Sequence, residues 1–162
     1  MKPVVFCCIA LTVMLTLSMP VFAQKYEGVA VKSGQATFKF AGKDLAFSYV
    51  EGGFQPMQGF TLATLVFKLD AKSKENTHLN LTLMYQAPGK VDLDSAFSMS
   101  GIGMFSDGDV SRFTKGKSKC TITLTKATAT EVEGTADCPL LHNIEGEVMP
   151  PLTNLKFSAT IK

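Results

Sequence analysis

Four cysteines, two histidines and two closely spaced pairs of aspartates are the side chains of this sequence with the reactivity to do chemistry. Cys120 and Cys138 are better placed to bond to each other than to act as a thiolate nucleophile, which needs a cationic or histidine neighbour to activate it. His78 and His142 lie far apart in sequence, and neither has a partner in its local sequence. Serine nucleophiles commonly sit on a strained G-x-S-x-G turn, and none is present, so no catalytic residue is assigned. Asp92 with Asp94, and Asp107 with Asp109, have the alternate spacing that calcium ligands use. Neither stretch supplies the further oxygen ligands and terminal glutamate of a calcium loop, and aspartate with glycine is also what an ordinary turn requires. Met99, Met104, Met149 and His142 offer thioether and imidazole groups that suit Cu(I), but no M-x-x-M cluster gathers them, and methionine in an apolar strand usually fills core space. No metal and no cofactor is therefore expected. Asn80-Leu81-Thr82 matches a glycosylation acceptor but falls inside a strand pattern and carries no weight.

The compartment in which these groups would work is indicated by the first 23 residues. Lys2 supplies a positive start, an apolar run follows, and Val21 and Ala23 are the small residues that precede a signal-peptidase cut. The apolar run is shorter than the roughly 20 residues that cross a bilayer, so no integral membrane span is expected after cleavage. Cys7 and Cys8 would leave with the leader, and the remaining cysteines, Cys120 and Cys138, would meet an oxidising periplasmic or extracellular environment and bridge.

Residues 24–162 are of ordinary size for one domain. Their charges nearly balance, which offers no electrostatic argument for an anionic membrane surface or for nucleic acid, and no nucleic-acid partner is expected. Arg112, Lys115, Lys117 and Lys119 form the densest basic stretch, and such alternation most often marks a solvated strand edge.

The elements that must position these groups are strands. No long segment shows the 3.6-residue period of a helix, whereas short stretches alternate apolar and polar residues. Ala36, Phe38 and Phe40 alternate before a turn at residues 42–44, and Leu45, Phe47 and Tyr49 repeat the pattern, predicting a hairpin. A loop holding Gly52, Gly53 and Pro56 leads to a strand at residues 60–69, and residues 70–77 form a polar connection. Leu79, Leu81, Leu83 and Tyr85 make the cleanest strand, and residues 97–105 a further one interrupted by Gly101 and Gly103. In the last third, facing Cys120 with Cys138 also faces Ile122 with Ala136 and Leu124 with Gly134, and places Thr121, Thr123 and Thr125 on the other side opposite Asp137, Thr135 and Glu133. One face is then apolar and the other polar, as a single register requires. Residues 139–151 lack strand period, and residues 155–161 close the chain as another strand.

The expected architecture is an all-β antiparallel sandwich of about seven or eight strands, or alternatively a small closed barrel, with a disulfide-linked hairpin near the C-terminus. The expected function is an exported, non-enzymatic binding or interaction module. Its contact surfaces would be the apolar segment Leu140, Leu141, His142, Ile144, Val148 and Met149 and the glycine-rich bend at residues 101–108. An unidentified protein, a glycan or a small apolar ligand are the partner classes. A barrel carrying an apolar ligand such as a lipid is the alternative, drawn from the phenylalanine content. A small secreted hydrolase using His78 or His142 ranks third.

Overall fold

The computed structural model describes residues 28–71, 77–106 and 109–162. The leader expected at residues 1–23 lies outside them. They form thirteen strands and no helix: β1 (Val29–Ala30), β2 (Ser33–Phe40), β3 (Lys43–Phe47), β4 (Tyr49–Met57), β5 (Phe60–Lys68), β6 (His78–Tyr85), β7 (Gly89–Lys90), β8 (Gly101–Ser106), β9 (Asp109–Arg112), β10 (Lys119–Ala127), β11 (Glu131–His142), β12 (Val148–Met149) and β13 (Leu152–Thr160). Every pairing is antiparallel, and the strands join into one open sheet in the order β1-β4-β5-β6-β8-β9-β11-β13-β2-β3, with β10 and β12 on β11 and β7 on β10. No helix among the described residues is long and apolar enough to cross a membrane.

The strand count is thirteen, not the seven or eight that alternation suggests. Period-2 patterning finds only runs long enough to bury one face. It cannot separate β3 from β4, which part at Ser48 alone, and it gives no sign of the two-residue strands β1, β7 and β12. Other boundaries moved for local reasons. The hairpin turn is Ala41-Gly42, both with positive φ (50° and 79°), the two-residue geometry that matches strand twist. Gly52, Gly53 and Pro56 belong to β4, not to a loop. Gly52 is required there, since its φ is 125° and a Cβ would stand 1.9 Å from the Thr64 carbonyl oxygen. Residues 97–100 precede β8 and are not part of it, and residues 139–142 continue β11. Residues 70, 71 and 77 of the polar connection are in no strand, and the rest of it lies outside the described residues.

The two ends of the open path belong to one hairpin. Val29 faces Phe54 in the β1–β4 pair and Ala36 faces Phe47 in the β2–β3 pair, a single continuing register. Between them the Val31 N–H bonds back to Gly52, while the Lys32 N–H bonds across to Thr160 of β13. The sheet therefore doubles over at this hairpin. It turns again at β11, whose first part pairs with β10 and β13 and whose last residues pair with β9 and β12.

The apolar faces meet inside this fold. On β6 the buried residues are Leu79, Leu81, Leu83 and Tyr85, and every intervening residue faces outward. Fully buried Phe47, Phe54 and Phe67 fill the interior from β3, β4 and β5, and Phe38 meets Phe47 edge-on at 5.2 Å. Burial pushes the Tyr85 phenol above its ordinary pKa, and its hydroxyl donates to the Thr128 carbonyl at 2.8 Å.

The cysteine hairpin has the register read from the sequence over most of its length. Thr121 faces Asp137, Ile122 faces Ala136, Thr123 faces Thr135 and Leu124 faces Gly134, and Cys120 is bonded to Cys138 across a Cα separation of 4.1 Å. The match ends at Thr125, where a bulge puts Lys126 opposite Glu133. Replacing both cysteines by alanine is expected to lower the unfolding free energy by about 3 kcal/mol, the chain-entropy value for a loop of this length. Urea denaturation of the two proteins measures it, and coincident curves would show that the bridge adds no stability.

Candidate functional site

The segment expected to form a contact surface is divided by the fold. Leu141 is fully buried and His142 is 7% exposed, because both extend β11, while Leu140 and Met149 are half-buried. Ile144 and Val148 project, at 67% and 69% exposure. The turn between them is held by Asn143, whose side-chain oxygen accepts the N–H groups of Glu145 and Glu147 and whose amide donates to the Glu147 carboxylate at 2.9 Å. Two apolar side chains thus stand on a hydrogen-bonded tip.

Beside this tip lies a basic excursion. Arg112 faces His142 and Lys119 faces Leu140, so residues 113–118 are inserted opposite Leu141 alone. The Ser118 and Lys117 N–H groups bond to the Thr114 carbonyl, and Gly116, at φ 73°, closes the turn. Arg112, Lys115, Lys117 and Lys119 are all exposed. The Lys117 ammonium lies 3.4 Å from where a Cβ on Gly146 would stand, and Lys115 is close enough to Asp92 to favour its ionised form. The excursion therefore lies between the 143–148 tip and the 91–100 loop, which presents Phe97 at 89% and Met99 at 48% exposure.

The histidines are not brought together. His78 stacks on Phe105 at 4.4 Å on the outer side of β6, whereas His142 sits under the excursion. Ser118 Oγ lies 3.0 Å from His142 Nδ1 and accepts the Thr114 N–H at 2.9 Å. A hydroxyl beside an imidazole is two-thirds of a nucleophilic triad. Here the hydroxyl is also tied into the turn that it closes, and the pair clasps the excursion to β11. The methionines weighed as copper ligands are apart in the fold: Met99 is on a loop, Met104 is buried in β8 and Met149 is in β12. Asp92 spends one carboxylate oxygen on the N–H groups of Asp94 and Ser95, both at 3.0 Å, the arrangement of a turn. The Asp107 and Asp109 side chains fall outside the described residues. No group of three or more His, Cys, Asp or Glu among the described residues is placed to hold a metal.

A second region went unread in the sequence: the outer face of β2, β13, β11 and β10. Between Thr153 and Lys156, β13 carries one residue more than β2, and between Leu152 and Leu155 one more than β11. The surplus is absorbed around Asn154, whose φ of 55° is the left-handed conformation that asparagine tolerates better than most residues. Two clefts of about 350 and 400 Å³ flank the bulge and share Asn154 and Lys156 in their walls. The sequence carries a trace of it in two leucines three apart, Leu152 and Leu155; the fold buries both, an interval that an unbroken strand does not allow.

Ser118→Ala is expected to destabilise the protein by about 1 kcal/mol in urea unfolding, by releasing the clasp on His142; no change would show that the excursion holds itself. The Asp94 and Ser95 N–H groups hold the Asp92 carboxyl below its ordinary value of 3.8, so the stabilisation is complete above that value and is lost as pH falls through the lowered one. A carboxyl-resolved NMR titration of Asp92 should therefore have its midpoint below 3.8, and a midpoint at or above it would refute the cap. Comparison with known proteins finds no matching family model, curated protein or solved structure.

Proposed function

We propose that this is an exported, non-enzymatic interaction module that binds a protein partner through the rim made by the 143–148 tip, the 113–118 excursion and the 91–100 loop. One observation carries the reading: of the five large apolar side chains that are exposed among the described residues, Phe97, Met99, Ile144 and Val148 are on this rim and only Val29 is elsewhere. Exposed apolar groups gathered on neighbouring loops are a usual mark of a contact surface. Lys115, Lys117, Glu145 and Glu147 are exposed among them. Apolar groups edged by charges of both signs fit a protein interface, whereas an anionic membrane or a polyanion calls for one sign.

The doubled sheet is read here as a flattened barrel, in which successive chain segments pair in turn and the 29–57 hairpin brings the ends together. Its phenylalanine-filled interior supports a rim-binding role over a cavity that carries a lipid. The leader pattern at residues 1–23 and the Cys120–Cys138 bridge support residence in the periplasm or outside the cell.

The test is site-specific photo-crosslinking in the native host, with the reactive group at Phe97 or Ile144 and, as a control, at exposed Thr64 on β5. A discrete protein adduct is expected from the two rim positions, absent from Thr64, and reduced at least about tenfold when Val148→Asp is added to the Phe97 probe. Equal labelling from all three positions, or none from the rim, would overturn the reading.

A further inference from the structure

We infer that the polar outer face around Asn154 is a binding site for a neutral glycan, separate from the apolar rim. The backbone builds the site. One cross-strand row runs Thr123, Thr135, Lys156, Thr37, each the Cα partner of the next. The neighbouring row holds Thr121 opposite Asp137 on one side of the bulge and Lys39 opposite Asp44 on the other. Where β13 bulges at Asn154 the rows part, leaving the clefts of about 350 and 400 Å³ on either side. Asn154, which carries the left-handed backbone, lines both clefts together with Lys156. Strained positions held by a rigid frame recur at ligand sites.

The lining defines the ligand. Threonine hydroxyls donate and accept, the Asn154 amide does both, and each sugar hydroxyl needs both kinds of partner. Two ammonium groups, Lys39 and Lys156, are matched by two carboxylates, Asp44 and Asp137, so the face attracts neither polyanion nor polycation. Lys39 is engaged with Asp44 at 3.7 Å, whereas Lys156 and Asp137 have no ion-pair partner among the described residues and remain available. The clefts lie across the strands on the sheet face, not along an edge, which excludes a peptide added as a further strand. Four strands at about 4.8 Å spacing span roughly 14 Å, which suits a chain of several sugars and not a single one. No aromatic ring flanks the clefts except buried Phe38, so hydrogen bonding and not ring stacking must supply the affinity.

The experiment is an amide-resolved NMR titration of the disulfide-bonded protein with maltopentaose, cellopentaose and chitopentaose, and with dextran sulfate as the charged comparison. Saturable shifts from at least one neutral pentasaccharide are expected, confined to residues 37–39, 121–123, 135–137 and 153–156. The double variant Thr123→Val with Thr135→Val should weaken that binding about tenfold. Asn154→Gly, which keeps the left-handed backbone but removes the amide, should weaken it as well while leaving the rest of the spectrum in place. Absence of shifts with all three sugars, shifts located elsewhere, undiminished binding by both variants, or tighter binding of dextran sulfate would each overturn the inference. Rim crosslinking does not depend on any of these outcomes.

Discussion

The structure depends on the register between β10 and β11. β11 is the strand on which the doubled sheet turns, with β10 and β9 along one side and β13 and β12 along the other. A slip of one residue would reverse every side chain of β11, exposing Val132, Ala136 and Cys138 and burying Glu133, Thr135 and Asp137. The Cys120–Cys138 bond forbids that slip covalently, and Gly134 forbids it sterically. A Cβ there would stand 2.5 Å from the Thr123 carbonyl oxygen and 2.9 Å from the Phe157 ring. Both constraints act within one short stretch of hairpin, and the neighbouring pairings inherit their alignment from it.

With the register fixed, irregularity is displaced to places where it does not disturb the core. Three insertions show this. Thr125 bulges out of β10 toward solvent, residues 113–118 leave the strand line opposite Leu141, and β13 takes up its extra residue at Asn154. In each case the flanking apolar side chains, Leu124, Leu141 and Leu155, remain buried. An extra residue in a strand must project or bend the strand, because the pairing on either side has no position for it. The two surfaces assigned to binding coincide with two of these three insertions, so the features that interrupt the sheet also give it recognisable relief.

How far the sequence could be read follows from the same division. The cysteine register was legible because burial, charge and disulfide reach all select one alignment, and β6 because its alternation is unbroken. β4 was not, since Gly52, Gly53 and Pro56 have the composition of a loop and are accommodated in a strand only because β5 is there to pair with them. Residues 139–142 were hidden for a similar reason. Pro139 and consecutive Leu140 and Leu141 show no alternation, and they are strand because β11 changes partners there. The Ser118–His142 clasp joins residues 24 apart through a turn whose form depends on the insertion. Short strands and most insertions are properties of pairs of segments, and of the insertions only the one in β13 left a trace in a single run, the three-residue interval between Leu152 and Leu155.

The two proposed surfaces differ in the physics that would make each specific. At the rim, affinity would come from removing Phe97, Ile144 and Val148 from water, a non-directional gain whose selectivity depends on shape and on the charges around it. On the Asn154 face the apolar groups to desolvate are small, Ala46, part of Leu45 and the threonine methyls, and each threonine hydroxyl exchanges a bond to water for one to the ligand, a small net gain repeated along a row. A fixed spacing is then what separates a site from an ordinary wet surface, because hydroxyls on a mobile loop would lose the gain in ordering. The row Thr123, Thr135, Lys156, Thr37 has that spacing from the sheet hydrogen bonds themselves. The rim needs relief to be recognised and the polar face needs regularity, and one doubled sheet with a few displaced residues supplies both.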